Sequence, residues 1–370
     1  MMKVLMTADA VGGVWTYALE LCRALADYEV EVILAVMGPA PTLSQRSDAA
    51  ALGNVALHVR TYALEWMPQP WDDVRRAGEW LLNLERAESP DVIHLNGYVH
   101  AALPWRAPKL VVGHSCVLSW WRAVKGEPAP AEWAVYRSAV ARGLHAAQAV
   151  VAPSRAMLES LHQHYGHLPR ARVIPNGRTA ALFRSGMKEQ FVLSAGRVWD
   201  EAKNIAVLTK AADEIPWPVR VAGKADGDLD SQRMGGRVEF FGHLDAAALS
   251  DQMSRAAIYA LPARYEPFGL SALEAALSGC ALVLGDIPSL REVWADAATF
   301  VPPEDEKAIA AAIRRLIQEP ALRSEMSLRA SAHAARYTPA RMACGYFGMY
   351  RELCGSAASA LGESLAIQEG

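Results

Sequence analysis

The sequence predicts an α/β fold in which parallel sheets are covered by helices and divided between two domains. At 370 residues the chain exceeds the length at which a single hydrophobic core keeps growing, so two domains of roughly 150 to 200 residues are expected. The clearest unit is a strand at 258–262, a loop, a helix that ends at Gly279 and a second strand at 281–284. Such short apolar runs are typical of strands buried on both faces, as in a parallel sheet.

The composition is that of a globular protein, with 52% hydrophobic and 21% charged residues. The net charge of −3 provides no basic excess for nucleic acid, and any membrane contact would have to come from a local patch. The first strand is predicted from Lys3, so no secretory signal peptide is expected ahead of it. No apolar run reaches the ~18 residues of a membrane span. The five cysteines are scattered without a C-x-x-C spacing, as in reduced proteins. We therefore expect a cytoplasmic protein, with peripheral contact at the inner face of the membrane left open.

Two glutamates mark the loop and the helix of the central unit. Glu266 lies at the carboxyl end of the first strand, the edge at which open α/β sheets bind their ligands. Glu274 shares the apolar stripe of the helix with Leu270 and Leu277, where a carboxylate needs a partner unless it reaches solvent at the edge. The helix amino-terminus between the glutamates offers amides and a positive dipole end to an anion. The pattern favours a site for a phosphate joined to a polyhydroxylated group.

Two cations follow the strand predicted at 191–195. Arg197 and Lys203 flank the turn at its carboxyl end. Alone, such a pair is more often a solvated surface. Beside the Glu266 helix it favours binding of a diphosphate, because an arginine can grip two oxygens at once.

At this point the sequence resembles the retaining glycosyltransferases of family 4, which have the GT-B fold. The paired glutamates with seven residues between them, E-PFGLSAL-E, are similar to that family's motif. The segment from Gly196 to Asn204 resembles its diphosphate-binding segment, and 173–177 (VIPNG) resembles the stretch that leads into its second domain. The three segments occur in the family's order, and the resemblance covers almost the whole chain. In one place the sequence departs from it, because Arg178-Thr179 replaces the usual Val-Asp after Asn-Gly.

The resemblance implies two Rossmann-like, doubly wound parallel-sheet domains that face a cleft. The first would comprise residues 1–178 and bind the acceptor, and the second would comprise 189–336 and bind the donor. A C-terminal helix at 340–362 would cross back to the first domain.

The resemblance also implies a reaction and the residues that carry it out. The donor would be a nucleotide sugar of the UDP-glucose or GDP-mannose type, and the acceptor a saccharide or a lipid-linked saccharide. The residues implied in catalysis are His114, Arg197, Lys203 and Glu266. The residues implied in donor binding are Gly12, Gly13, Gly196, Leu244, Phe268, Gly269, Leu270, Ser271 and Glu274. Within these sets Glu266 and the 268–270 backbone would hold sugar hydroxyls, and Glu274 the ribose hydroxyls. A donor phosphate oxygen would take the acceptor's proton, so no protein general base is assigned.

Aromatic residues supply the candidates for the acceptor side. Trp66 and Trp71 flank two prolines, a pattern that predicts a loop carrying large rings. These rings either cap the core or stack on a sugar or lipid chain. By the resemblance, Trp120, Trp121 and Arg122 are expected on the amino-terminal side of the cleft. His94, which lies at the carboxyl end of another predicted strand, is a weaker candidate than His114 for contact with the donor sugar.

No metal or other cofactor is expected. The loop at 225–230 is rich in aspartate, but an EF-hand register from Asp226 places Ser231 and Arg237 where glycine and glutamate are required. We therefore interpret it as an acidic surface loop.

Two other functions are open from the sequence. One is a GT-B sugar-nucleotide epimerase or a phosphorylase, which would need no acceptor sugar or would need orthophosphate. The other is a nucleotide-sugar-binding partner subunit without turnover. The intact set of Glu266, Glu274, Arg197 and Lys203 argues against a decayed site.

Overall fold

The computed structural model describes residues 1–168, 170–223 and 238–368, with side chains described as far as Gly355. The acidic loop interpreted at 225–230 lies outside these residues. The chain divides into two compact units. The first consists of Met1–Ser119, Pro128–Gly177 and Pro339–Gly370, and the second of Trp120–Glu127 and Arg178–Thr338.

The sheet of the first unit is parallel and doubly wound. Among the described residues its strands are β1 (Met2–Asp9), β2 (Val30–Met37), β3 (Val55–Val59), β4 (Val92–Leu95), β5 (Lys109–Val112), β6 (Ala149–Ala152) and β7 (Arg172–Val173). They lie in the order β3-β2-β1-β4-β5-β6-β7. The winding direction reverses between β1 and β4, and the carboxyl ends of those two strands form a switch point of the kind at which such sheets bind ligands.

Helices connect these strands, as parallel pairing requires. They are α1 (Gly13–Leu25), α2 (Leu43–Ala50), α3 (Trp71–Glu88), α4 (Val117–Lys125), α5 (Ala134–Ala146) and α6 (Arg155–Tyr165). The Ser154 side chain caps α6 by accepting a hydrogen bond from the Met157 amide, a role for which serine is well suited.

The second unit repeats this design. Its described strands are β8 (Glu189–Ala195), β9 (Val219–Ala222), β10 (Val238–Gly242), β11 (Ala256–Leu261), β12 (Ala281–Gly285) and β13 (Thr299–Val301), in the order β10-β9-β8-β11-β12-β13. Its helices are α7 (Ile205–Ala211), α8 (Ala246–Arg255), α9 (Leu270–Leu277), α10 (Pro288–Trp294), α11 (Glu306–Gln318) and α12 (Pro320–Ala334). The switch point lies between β8 and β11.

Alternate residues of the second sheet pack into two separate cores. Phe191 and Leu193 of β8 belong to one apolar cluster, and Val192 between them belongs to the other. The sheet is therefore buried on both faces, which is why its strands read as continuous apolar runs. The predicted α/β class with two parallel sheets is confirmed.

The last helix, α13 (Pro339–Gln368), belongs to the first unit. Its apolar stripe is buried in the core that contains β1 and α1; the stripe consists of Met342, Tyr346, Met349, Tyr350 and Leu353. The predicted return of the C-terminal helix to the first domain is confirmed. None of the helices over the described residues combines the length with the apolar character that crossing a bilayer requires.

Trp71 does not lie on a loop, so that prediction was wrong. It is the first residue of α3, and Pro70 occupies the cap position with φ −85° and ψ −9°. The fixed backbone of proline suits the start of a helix, where its missing N–H costs nothing. Asp72 and Asp73 then place negative charge in the first turn, which favours the helix further.

The structure corrects the expected place of three acceptor candidates. They were expected in the first unit, but they belong to the second: Trp120, Trp121 and Arg122. The Trp120 indole N–H donates to Asp200 Oδ1 at 3.1 Å, and Lys125 Nζ pairs with Glu201 Oε2 at 2.7 Å. These polar contacts attach the second half of α4 to the turn that follows β8.

Candidate functional site

The loop after β11 is organised by Glu266. Its Oε1 atom accepts a hydrogen bond from the Gly269 amide at 3.0 Å, at the amino-terminus of α9. Gly269 has a φ of +89°, and a Cβ atom there would lie 3.2 Å from Leu290 Cδ2. The left-handed backbone favours glycine here, and a larger residue would also have to displace the Leu290 side chain slightly. The Ser289 hydroxyl donates to the Glu266 carbonyl at 2.6 Å and holds the loop from the other side.

Lys203 reaches the same carboxylate from the end of β8. Its Nζ atom pairs with Glu266 Oε2, and the two side chains are only 18% and 12% exposed. Lys203 ends a short 3-10 turn, Glu201–Lys203. A Cβ atom at Gly196 would lie 3.2 Å from Lys203 Cγ, so this glycine leaves room for the lysine stem. The structure therefore brings together four of the predicted site residues at the β8/β11 switch point: Gly196, Lys203, Glu266 and Gly269.

Asn204 was named by the sequence only as part of a motif, and the structure shows its task. Its side-chain N–H groups donate to the carbonyls of Pro262 at 2.9 Å and Pro303 at 2.6 Å. Its φ of +58° lies in the left-handed region, which asparagine tolerates better than most residues. Asn204 thus connects the loop carrying Lys203 to the loop carrying Glu266.

Arg197 is paired with Asp200. Its Nη2 atom lies 2.7 Å from Asp200 Oδ2, and its guanidinium lies 5.1 Å from the centre of the Trp199 ring. Burial alone would raise the pKa of Asp200, but the charge of Arg197, the Trp120 indole and the charge of Lys203 bring that pKa below its usual value. Arg197 is 41% exposed, so one face of this cation remains accessible to an anion.

Glu274 has the partner that its place on the helix requires. Arg178 Nε lies 2.8 Å from Glu274 Oε1, with the side chains 11% and 13% exposed. The sequence indicated the need for a partner but did not identify it, because Arg178 was recognised only as a departure from the family pattern.

The remaining donor candidates of the second unit lie around α9. Phe268 is buried and packs edge-on against Tyr337 at 5.4 Å, so a ligand contact at this position is left to its backbone. Leu270 and Leu244 are partly buried against the same core. Ser271 Oγ lies within hydrogen-bond distance of the Tyr259 hydroxyl, at 2.8 Å.

In the first unit, His114 follows β5 and is held by Asn96, which follows β4. The Asn96 side-chain amide donates to the Thr7 carbonyl at 2.7 Å, which leaves its Oδ1 atom as an acceptor. His114 Nε2 lies 2.8 Å from that Oδ1 and therefore carries the proton. Burial lowers the pKa of His114 to about 3, so its neutral ring presents Nδ1 as an acceptor.

His94 belongs to the same network and is fully buried. Its Nδ1 atom lies 2.6 Å from the hydroxyl of Tyr350 on α13, and its Nε2 atom lies 3.2 Å from Asn96 Oδ1. Burial first, and then the repulsion that a protonated ring would meet so close to His114, lowers its pKa to about 3. His94 is thus a buried support behind His114.

Gly12 and Gly13 lie at the end of β1, at the switch point of the first sheet. Gly13 is the first residue of α1, and Gly12 precedes it as the cap. The Asp9 carboxylate accepts from the Val11 amide at 2.9 Å and shapes this turn.

Trp66 is 37% exposed and follows Glu65, a residue that the sequence analysis did not single out. The Glu65 carboxylate accepts hydrogen bonds from the amides of Tyr98 and Val99 at 3.1 Å. Burial raises its pKa to about 7, against the effect of those amides. No spacing rule connects position 65 to these amides, because only the folded sheet brings them together.

On α4, the rings of Trp120 and Trp121 meet edge-on at 5.8 Å, and Arg122 is exposed. Within the described residues, no group of three or more histidine, cysteine, aspartate or glutamate side chains is arranged to hold a metal ion.

Solved structures similar to this chain share its complete fold. Sucrose-phosphate synthase from Thermosynechococcus elongatus superposes with a TM-score of 0.79, over 96% of this chain and 100% of that chain, at 19% identity. The Anabaena protein HepE in complex with UDP and glucose superposes with a TM-score of 0.77, over 95% of this chain and 100% of that chain, at 17% identity. The two doubly wound units therefore form a GT-B fold, the fold of a large class of glycosyltransferases.

Sequence comparison then identifies the family. The profile of Glycosyltransferase Family 4 matches residues 11–181, and that of Glycosyl transferases group 1 matches residues 181–333. The chain belongs to glycosyltransferase family 4.

Two of the curated relatives illustrate the range of this family. A phosphatidyl-myo-inositol mannosyltransferase of Mycolicibacterium smegmatis is 29% identical over 201 residues, which are 50% of this chain and 52% of that protein. The chain thus matches about half the length of that relative. The glycogen synthase of Mycobacterium tuberculosis is 27% identical over 353 residues, which are 84% of each protein.

Proposed function

We propose that this glycosyltransferase moves a hexose from a nucleotide sugar to a hydroxyl of a saccharide or lipid-linked saccharide, with retention of configuration and without a metal. The observation that carries the proposal is the arrangement of Lys203, Glu266 and the Gly269 amide at the β8/β11 switch point. A cation, a carboxylate and a helix amino-terminus in one place suit a ligand that is anionic at one end and rich in hydroxyls at the other.

The chemistry makes its largest demand on the leaving diphosphate. Charge develops on the departing oxygen as the sugar becomes oxocarbenium-like, so preorganised positive groups lower the barrier most. Lys203, Arg197 and the α9 amino-terminus would supply that charge. Glu266 would then accept hydrogen bonds from sugar hydroxyls, and Glu274 from the ribose.

Lys203 is already paired with Glu266, so donor binding would have to change the contacts of the lysine. A diphosphate that enters the site would share the lysine with the carboxylate, so the pair holds the cation in position before the donor binds. For retention the acceptor hydroxyl would approach on the face that the diphosphate leaves, and a phosphate oxygen would take its proton. The neutral His114 ring, with Nδ1 as an acceptor, suits contact with a sugar hydroxyl.

We propose a chemical class for the donor and for the acceptor, rather than one compound for each. Relatives named as a mannosyltransferase and as a glycogen synthase, and the HepE complex with UDP-glucose, support hexose donors of the UDP-glucose or GDP-mannose type. Relatives named as O-antigen chain mannosyltransferases support a role in the synthesis of a surface polysaccharide or glycoconjugate.

The experiment is a thermal-shift panel with UDP, GDP, ADP and dTDP, each with and without EDTA. A nucleotide at 100 times its dissociation constant should stabilise the protein by about 2.7 kcal/mol. We expect one base to raise the melting temperature, with no effect of EDTA. A response that EDTA abolishes would contradict metal independence, and no response to any nucleotide would contradict the donor site.

Product analysis tests the rest of the proposal. With the donor that the panel selects, NMR of the product should show the anomeric configuration of the donor. Interconversion of free donor epimers without acceptor, or dependence on orthophosphate, would instead indicate the epimerase or phosphorylase alternative. Tight nucleotide binding without turnover on any saccharide acceptor would indicate the partner subunit.

A further inference from the structure

Arg178 occupies a place where the family pattern has an uncharged residue, and contacts within the second unit hold it there. Its backbone N–H donates to the Tyr337 carbonyl at 3.0 Å. Its guanidinium lies 5.0 Å from the centre of the Phe183 ring. Its Nε atom lies 2.8 Å from Glu274 Oε1. Arg178 is thus held at its backbone by Tyr337, and its guanidinium is held by the Phe183 ring and by Glu274.

Fold stability alone is a weak reason for this pair. Arg178 and Glu274 are about nine-tenths buried, and the cost of removing two charges from water largely offsets their attraction. An apolar residue of similar size would stabilise the α9 packing about as well. What the pair adds over an apolar contact is a fixed position for the Glu274 carboxylate, because the Arg178 guanidinium, itself placed against the Phe183 ring, holds it by an ion pair of 2.8 Å.

We propose that Arg178 is a positioning residue that orients Glu274 to distinguish the ribose of the donor nucleotide from a deoxyribose. The inference rests on the proposed function, in which Glu274 accepts from the ribose hydroxyls. Acidic residues of Rossmann-like domains bind the ribose 2′-hydroxyl in this manner. A carboxylate has about four acceptor positions, so one such group can pair with a guanidinium and accept from hydroxyls at the same time. Without the guanidinium the Glu274 side chain can rotate away from the sugar.

The test compares the binding of UDP, GDP and ADP with that of dUDP, dGDP and dADP by titration calorimetry. The base that binds the unaltered protein is carried forward. We expect the ribose form to bind more tightly than the 2′-deoxy form by about 10- to 100-fold, the worth of a hydrogen bond to a charged acceptor. That ratio, rather than the affinity itself, is the readout, because a general loss of structure lowers both affinities together.

The variants are Arg178→Ala and Arg178→Met, the second of which keeps most of the side-chain packing in case the first does not fold. In both variants, we expect the ribose form to bind no more than about threefold more tightly than the 2′-deoxy form. The affinity for the 2′-deoxy form should change little, while that for the ribose form should drop. Arg255→Ala is the matched control. That arginine pairs with Glu189 at 2.6 Å on the surface of the same unit, and its removal should leave the ratio unchanged.

A second background shows whether Arg178 acts through Glu274. In Glu274→Gln protein the ratio should already be small, and adding Arg178→Met should not lower it further. An undiminished ratio in Arg178→Met, or an equal loss in both backgrounds, would overturn the proposal. A ratio near one in the unaltered protein would also overturn it while leaving the transferase intact. If the unaltered protein binds none of the nucleotides, the proposed function falls as well.

Discussion

At the scale of single residues, charges of the second unit are held in place by opposite charges. Lys203 is paired with Glu266 and Arg197 with Asp200. Each cation is thus positioned before any anion arrives, so little side-chain freedom remains to be lost on binding. Such preorganisation is what makes a cation effective in stabilising a developing negative charge.

Removal of either cation should slow transfer. Arg197→Ala and Lys203→Ala should each raise the barrier by about 2 to 4 kcal/mol, the scale of losing one oxyanion-stabilising donor. The measurement is kcat/KM with the donor that the nucleotide panel selects. Arg291→Ala serves as the control, since Arg291 pairs with Asp286 on the surface and should not matter. Full activity in either the Arg197 or the Lys203 variant would end this assignment.

The contacts of Asn204 lead to a separate prediction, which concerns the free energy of unfolding. Asn204→Ala leaves the Pro262 and Pro303 carbonyls without their donor and puts alanine at positive φ, which together should cost about 2 to 4 kcal/mol. Urea denaturation measures the free energy of unfolding. Asn204→Gly tolerates the backbone conformation, so it should lose less than Asn204→Ala. Equal losses would show that the left-handed φ contributes nothing.

At the scale of elements, the parallel strands bring distant residues together at their carboxyl ends. The ends of β8 and β11 carry Lys203 and Glu266, and those of β4 and β5 carry Asn96 and His114. The helix α13 adds a contact from far along the chain, because the Tyr350 hydroxyl reaches His94. The C-terminal helix is therefore part of the support for the His114 ring as well as of the core.

Tyr350→Phe should test that support. It deletes one hydroxyl and leaves a buried histidine nitrogen without its donor, which should cost about 1 to 3 kcal/mol of unfolding free energy. The His94 ring should also change its tautomer or its orientation, which nitrogen-15 NMR of the histidine side chains detects. Unchanged stability together with unchanged histidine spectra would contradict this account of the network.

At the scale of the whole molecule, the buried titratable groups set the pH dependence of stability. The pKa values of His94 and His114 are lowered to about 3 by burial, below the ordinary value of 6.5. The unfolded chain therefore binds protons that the folded protein does not, and stability is lost as the pH falls from about 6.5 towards 3. Glu65 acts in the opposite direction between about pH 4.5 and 7, because its pKa is raised to about 7.

The net loss should therefore be steepest below about pH 4.5, where Glu65 no longer compensates. Unfolding free energies measured at a series of pH values test this. His114→Asn keeps a polar group beside Asn96 but removes a titrating ring, so it should reduce the slope between pH 4.5 and 3. A slope equal to that of the unaltered protein would show that the His114 ring is protonated in the folded state.

Much of this protein was determined by the sequence itself. Apolar runs such as 258–262 predicted buried parallel strands, since local hydrophobicity decides whether a strand is covered on both faces. The buried face of α13 is likewise written in the sequence, because helical spacing aligns Met342, Tyr346 and Met349. The pair Glu266 and Glu274, with the segments around Gly196 and Asn176, was sufficient for the family.

Only the tertiary structure decided which side chains form hydrogen bonds and ion pairs with one another. Glu274 needed a counter-charge by its position, but Arg178 lies in a different segment and no local rule joins the two. The same holds for Asn204 with Pro303, for Glu65 with Tyr98 and for Trp120 with Asp200. Trp71 was mistaken for a loop residue because two prolines outweighed the acidic first turn that follows it. Secondary structure follows from local spacing, whereas hydrogen-bond and ion-pair partners depend on which loops the sheet order brings side by side.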